Sequence, residues 1–212
     1  GEVELAYRLT NTPIAAITGT NGKTTTTALL GEIMKESGRR TFVTGNIGHA
    51  MISEVDNAKT EDVFVLEASS FQLESTIDFR PQVSAILNIT PDHLDRHKTF
   101  ENYIDAKCMI FQNQKPDDFA ILNKDDKETY KVADRVPCKT LFFSRKELLE
   151  EGAYVENGYM VIKLGVHIER IIDIDDIYIP GSHNLENALA AALMAYCLGV
   201  KADVISYVLR EF

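Results

Sequence analysis

Cysteine is scarce in this chain. Cys108, Cys138 and Cys197 are the only three, odd in number and with no C-x-x-C pair. That argues against a disulfide framework or a paired-cysteine metal motif, and free thiols in a reducing cytosol are expected. Positive charge is also short: 22 Lys and Arg against 32 Asp and Glu give a net charge of −10. Neither nucleic acid nor an anionic membrane surface is an expected partner, although a local basic pocket for a phosphorylated ligand remains compatible. No apolar run approaches the roughly 20 residues that span a bilayer. No signal-peptide pattern opens the chain, and no internal repeat or low-complexity segment interrupts it. The chain starts at Gly1 and stops at Phe212, just after a helical pattern over 202–209. An excised fragment of a longer protein is therefore expected.

What is present reads as an ordinary globular protein. At 212 residues, 45% hydrophobic and 25% charged, the chain can bury a full core in one large or two small domains. Its most informative segment is Thr18-Gly-Thr-Asn-Gly-Lys-Thr-Thr25. The apolar run Ile14-Ala-Ala-Ile17 leads into it as a buried strand would, and a helix pattern over 24–37 follows, with Ala28, Leu29, Ile33 and Met34 apolar. A glycine loop between a strand and a helix N-terminus presents backbone N–H groups to phosphate oxygens. Gly19 and Gly22 permit the turn, Lys23 can reach the β and γ phosphates, and the Thr24 hydroxyl suits Mg²⁺. The general motif G-x-x-x-x-G-K-[ST] would place glycine at position 17, where this chain has Ile17. On that pattern alone the match is partial, and a tight turn with an exposed lysine is the plain alternative.

Strand-like and helix-like runs alternate after this loop. Strands are expected at 41–44, 63–66, 83–89, 119–122 and 140–143, with helices over 100–111 and 126–133. Short apolar runs separated by helices predict an α/β fold with a mostly parallel sheet covered on both faces. Residues 152–180 differ. Ala153-Tyr-Val-Glu and Tyr159-Met-Val-Ile flank Asn157-Gly158 as a hairpin, and short strands at 166–168 and 177–179 would complete a small antiparallel flap. A long helix then starts near Gly181, with a stripe at Leu185, Ala188, Leu189, Ala192, Leu193 and Tyr196.

Ligands of open parallel sheets bind beyond the carboxyl ends of the strands. Three polar elements fall at such ends: the glycine loop, Glu67 with Ser69-Ser70, and Asp92-His93. Glu67 is placed to be a Mg²⁺ ligand or simply a solvated strand end. His93 and His97 have an i, i+4 spacing that could bind zinc, but no third ligand accompanies them. Lys107 lies on the same helix face as Phe100, Tyr103, Ile104, Cys108 and Phe111. A cation there either snorkels to water or turns into a pocket, where a lowered pKa would let it react with CO₂ as a carbamate. Asn184 and Asn187, three residues apart, could face one ligand such as the edge of adenine, or could cap the helix.

The loop Thr18–Thr25 resembles that of the Mur ligases and folylpolyglutamate synthases, which lack the first glycine of the general motif. Gly45-Asn-Ile-Gly48, Glu67-Ala-Ser-Ser-Phe-Gln-Leu-Glu74, Leu87–His97, Tyr103-Ile-Asp-Ala-Lys107 and Gly181–Ala188 extend the resemblance to the Mur ligase family from about Ile14 to Leu198. The resemblance implies a cytoplasmic, ATP- and Mg²⁺-dependent ligase of peptidoglycan precursor synthesis. It would add D-glutamate to UDP-N-acetylmuramoyl-L-alanine through an acyl phosphate. It implies that Gly19, Thr20, Asn21, Gly22, Lys23, Thr24 and Thr25 hold ATP, with Asn184 and Asn187 on adenine. Thr24, Glu67, His93 and a carbamylated Lys107 would serve the metals, and Asn46 and His93 the muramoyl substrate. Lys23, His93 and Lys107 would be catalytic. Family members have three domains, and residues 1–212 correspond to the central one, without the UDP-binding and C-terminal domains. A monomer with no nucleic-acid or membrane partner is expected. A nucleotide-binding switch or ATPase without ligase chemistry is the competing reading, and it has no use for a lysine such as Lys107.

Overall fold

The computed structural model describes residues 1–212. The first element is helix α1 (Glu2–Leu9), followed by strand β1 (Ile14–Thr18), helix α2 (Lys23–Glu36), β2 (Thr41–Gly45), β3 (Val63–Glu67) and the one-turn helix α3 (Ser70–Leu73). Next come β4 (Val83–Ile86), the short α4 (Leu94–His97), α5 (Phe100–Cys108), β5 (Phe119–Asn123), α6 (Lys127–Lys131) and β6 (Lys139–Ser144). Strands β7 (Gly152–Glu156), β8 (Tyr159–Leu164) and β9 (His167–Asp173) precede helices α7 (Ser182–Cys197) and α8 (Ala202–Glu211).

All nine strands form one sheet in the order β2-β3-β1-β4-β5-β6-β7-β8-β9. Pairing is parallel from β2 through β7 and antiparallel for β7-β8-β9. The antiparallel part is thus joined edge-on, through β7 beside β6, and continues the main sheet. The order reverses direction at β1, whose neighbours are β3 and β4. In open sheets that switch point opens a crevice beyond the strand ends. Strand alternation sorts β1 onto two cores. Ala15 and Ile17 belong to a cluster of 31 buried residues under α2, α7 and α8, and Ile14 and Ala16 to a cluster of 20 on the other side, with α1, α3 and α5.

Three expectations need correction. The strand expected over 83–89 ends at Ile86, because Asn88 turns to serve the glycine loop. Its Oδ1 accepts Asn21 N–H at 2.8 Å and its Nδ2 donates to the Asn21 carbonyl at 3.0 Å. Residues 177–179 form no strand; the Tyr178 N–H donates to the carbonyl of Leu209 at the end of α8, not to a neighbouring strand. The helix over 182–197 is buried on all sides from Asn187 to Ala195, not along one stripe. Its run of alanines lets α2, α8 and the sheet approach from every direction.

The short α1 has no separate sequence signature, and one carboxylate docks it. Glu4 Oε2 accepts the N–H groups of Ile77 and Phe79, at 2.9 and 3.1 Å, and Asp78 N–H and the Arg8 guanidinium complete the set. Burial alone would raise this carboxyl, but the hydrogen bonds outweigh it and hold Glu4 below its ordinary value.

Candidate active site

The glycine loop links β1 to α2 at the switch point. Gly19 has φ +154° and Gly22 φ +84°. A Cβ on Gly22 would lie 2.3 Å from Asn187 Oδ1, so α7 presses directly on the loop and only glycine fits. Helix α2 begins with no side-chain cap, leaving its first N–H groups and the positive end of its dipole for an anion. Lys23 folds back over the loop and donates to the carbonyls of Gly19 and Thr20 at 3.0 and 2.9 Å. Burial lowers its pKa, partly opposed by Glu67 and Asp92.

Glu67, 1% exposed, ends β3 beside β1 and stands in register with Ile17. Its Oε2 accepts the Thr24 hydroxyl at 2.9 Å, and its Oε1 accepts the Asn46 amide at 2.9 Å. Gly45 has φ +107°, and a Cβ there would meet the Glu67 carbonyl at 2.2 Å; the tight pass carries Asn46 over Glu67. A hydroxyl and a carboxylate converging at the loop form a hard-oxygen donor set that fits Mg²⁺. No three His, Cys, Asp or Glu side chains cluster as a metal cage, so nucleotide phosphates and water would have to complete its shell.

Lys107 turns into the pocket. It is 2% exposed, and its Nζ donates to the Gly19 carbonyl at 2.8 Å, 4.5 Å from the centre of the Tyr103 ring. Burial and the neighbouring charge of Lys23 lower its pKa to about 7, against a small upward pull from Asp92. A cavity of about 300 Å³ opens here, lined by Lys23, Asn46, Ser69, His93, Tyr103 and Lys107 among others. The structure therefore gathers Gly19, Thr20, Lys23, Asn46, His93 and Lys107 around one space, with Glu67 and Thr24 joined to it through the Asn46 amide. His93 is half-exposed, in left-handed backbone at φ 50°, ψ 33°.

Other expected positions are placed differently. His97 does not pair with His93 toward a common metal. It is buried, its Nε2 2.9 Å from Ser70 Oγ and its Nδ1 3.1 Å from Glu74 Oε1. Asn184 and Asn187 contact each other, Nδ2 of Asn187 to Oδ1 of Asn184 at 3.2 Å, and Asn184 also donates to the Pro180 carbonyl at 2.8 Å. Asn187 is buried against Gly22 and Asn184 lies nearer the surface. Thr25 lies in the first turn of α2, and Asn21 is braced by Asn88. Sequence reading missed that brace, and it counted Tyr103 as packing alone. The Tyr103 hydroxyl lies 3.2 Å from Thr20 Oγ1, beside the loop. An asparagine directly after a buried strand at a ligand-bearing edge was the available signal.

Residues 17–195 match the family described as Mur ligase middle domain. The chain belongs to the Mur ligase family. Among its relatives, it is 58% identical to the UDP-N-acetylmuramoylalanine–D-glutamate ligase of Alkaliphilus oremlandii strain OhILAs, across all 212 residues and 47% of that protein. It is 56% and 50% identical to proteins of the same name from Thermoanaerobacter sp. strain X514 and Clostridioides difficile strain 630, again over all of this chain and 47% of each. The chain thus spans about half the length of the curated relatives it matches. A solved UDP-N-acetylmuramoyl-L-alanyl-D-glutamate–2,6-diaminopimelate ligase shares its fold at TM-score 0.73 and 26% identity, over 95% of this chain and 46% of that one. The MurF ligase of Thermotoga maritima in complex with ADP has the same fold at TM-score 0.72 and 22% identity, over all of this chain and 51% of that one. The central α/β fold with a short antiparallel part is thus the Mur ligase fold. No helix of the chain is long and apolar enough to cross a membrane.

Proposed function

We propose that this chain is the central ATP-binding domain of a longer, monomeric, cytoplasmic Mur ligase that joins D-glutamate to UDP-N-acetylmuramoyl-L-alanine. One observation carries the reading beyond nucleotide binding: Lys107 is buried in the same cavity as the loop lysine, within hydrogen-bonding distance of Gly19. A nucleotide switch gains nothing from a second, destabilised amine there. The identity of the amino acid rests on the relatives' names and on the Glu67–Glu74 segment.

The chain's own groups support the following chemistry. The loop N–H groups and Lys23 bind and orient the ATP phosphates, with Lys23 leaving its two carbonyls. Asn184 and Asn187 lie at the loop's α7 side, where the adenine would extend. Asn46 holds Glu67 toward Thr24 and keeps its own amide oxygen free for the muramoyl substrate. Thr24 and Glu67 would hold one Mg²⁺, with His93 and a carbamylated Lys107 serving a second. Bound there, Mg²⁺ would neutralise charge on the phosphates and the transferring phosphoryl group. The alanyl carboxylate attacks the γ phosphorus and ADP leaves, giving an acyl phosphate. The D-glutamate amine, having lost a proton, adds to its carbonyl carbon, and phosphate departs as the amide forms.

Lys107 is chemically ready for carbamylation. Its pKa of about 7 leaves a large share of neutral amine near neutral pH. That amine adds to CO₂ and releases one proton, forming an N–C bond and an anionic carboxylate. The carbamate nitrogen retains one N–H, enough to keep the bond to the Gly19 carbonyl. Lys23 then balances the new charge.

The test is phosphate release by the full-length enzyme. Release should require ATP, UDP-N-acetylmuramoyl-L-alanine and D-glutamate together. Equal turnover with meso-diaminopimelate or L-lysine would reject the assigned amino acid, and release with ATP alone would reject ligase chemistry.

A further inference from the structure

His93 makes no side-chain hydrogen bond and is half-exposed in the cavity. Its ring has one polar neighbour, the carboxylate of Asp92 at 3.6 Å, and its backbone is left-handed. Two aromatic rings flank it instead. Phe71 lies 5.1 Å away at 59°, and Tyr103 lies 6.4 Å away, edge-on. Those two rings come from different elements, α3 and α5, and each rests on the same third ring. Phe71 stacks on His97 at 5.3 Å with an interplanar angle of 6°, and Tyr103 packs on His97 at 5.1 Å.

His97 in turn is hydrogen-bonded through one ring nitrogen, while its buried Nδ1 lies near Glu74 without a hydrogen bond. Its side chain is fully buried. Ser70, itself buried, meets Nε2 at 2.9 Å from the first turn of α3, and Glu74 lies 3.1 Å from Nδ1. The His97 carbonyl accepts the Asn102 amide of α5 at 2.8 Å. One buried imidazole therefore ties α3, which follows Glu67, to α5, which carries Tyr103 and Lys107. A histidine serving only as core filler would need neither the hydrogen bond to a buried serine nor the two rings that continue into the cavity.

We propose that His97 is a positioning residue for His93: held by the hydrogen bond to Ser70 and by its burial, its ring sets Phe71 and Tyr103, and these set the His93 imidazole in the cavity. The proposal rests on the reading of His93 as a working group of the proposed ligase. His97 itself touches no substrate.

The test combines spectra with kinetics. The chain has five histidines, so ring-labelled histidine NMR resolves them, with His93→Ala assigning the resonance. In the wild type the His93 ring protons should show ring-current shifts and nuclear Overhauser contacts to Phe71 and Tyr103. His97→Gln should erase those contacts, and Ser70→Ala, which keeps the ring but removes its hydrogen bond, should weaken them. In the full-length enzyme His97→Gln should lower kcat at least tenfold with the KM for ATP within twofold. The double variant His93→Ala/His97→Gln should be no slower than His93→Ala alone, within twofold. If His97→Gln does not fold, Ser70→Ala and His97→Phe give the same two readouts, with smaller expected losses. Unchanged His93 contacts and kcat in folded His97 variants, while His93→Ala is inactive, overturn the positioning role. So does a double variant more than tenfold slower than His93→Ala. Full turnover in His93→Ala overturns instead the reading of the site beneath it.

Discussion

Replacing Lys107 with methionine isolates what it costs to keep an ammonium group in the cavity. The side chain is 2% exposed, and its pKa falls from an ordinary 10.5 to about 7. That gap corresponds to roughly 4–5 kcal/mol against the charged form, at about 1.4 kcal/mol for each tenfold change in proton affinity. Methionine keeps most of the packing but gives up the bond to the Gly19 carbonyl, a loss of about 1.5–3 kcal/mol for a charged donor. Because the folded-state value lies below the unfolded one, both states are protonated below pH 7 and the folded state bears the whole penalty. Between about 7 and 10.5 the folded amine is neutral while the unfolded one is still charged, and the penalty fades as pH rises. Lys107→Met should therefore be more stable than wild type by about 2 kcal/mol at pH 6, with most of that gain lost by pH 9. For a chain of this size the difference is roughly 4–8 °C in Tm at pH 6. Thermal unfolding by circular dichroism in metal-free, CO₂-free buffer measures it. A Tm difference equal at both pH values, or a variant less stable than wild type at pH 6, refutes Lys107 as a buried, destabilised cation.

Lys23→Ala should weaken ATP binding at least tenfold by calorimetry, since it removes the charge-assisted contact to the phosphates; unaltered affinity would show that the loop does not hold them. Glu4→Gln should lower stability by about 2–4 kcal/mol in denaturant titration, because the amide cannot accept all of the N–H groups at Ile77–Phe79 and the Arg8 guanidinium. With the folded Glu4 carboxyl held below its ordinary 4.5, wild type loses this contribution as pH falls through the acid range, and the variant should show a flatter acid limb. Equal stability at neutral pH would mean that α1 is docked by its apolar contacts alone.

The parallel core of the fold was legible because its central strands β1, β3 and β4 are buried on both faces. Val63–Leu66 and Ile14–Ile17 are continuous apolar runs for that reason. The loop and Lys107 were legible too, one as a spacing of glycine and lysine and the other as a cation on an apolar helix face. What escaped detection depends on long-range contact. Asn88 looks like the end of a strand until Asn21 lies opposite it. His97 looks like half of a metal pair until Ser70 and Glu74 arrive from 27 and 23 positions earlier in the chain. Asn46 carries no mark of its bond to Glu67, which forms only because β2 and β3 are neighbours. The apolar runs specify the sheet, whereas the polar partners are chosen by strand order, which no local pattern records.

The most direct test of the central claim follows one oxygen atom. UDP-N-acetylmuramoyl-L-alanine labelled with ¹⁸O in its alanyl carboxylate is turned over by the full-length enzyme with ATP, Mg²⁺ and D-glutamate, and the released phosphate is weighed by mass spectrometry. If ATP bound at this loop activates the carboxylate as an acyl phosphate, each phosphate carries one labelled oxygen from the substrate. Unlabelled phosphate released in step with product would mean that the γ-phosphoryl group never passed through that carboxylate, and would contradict the account.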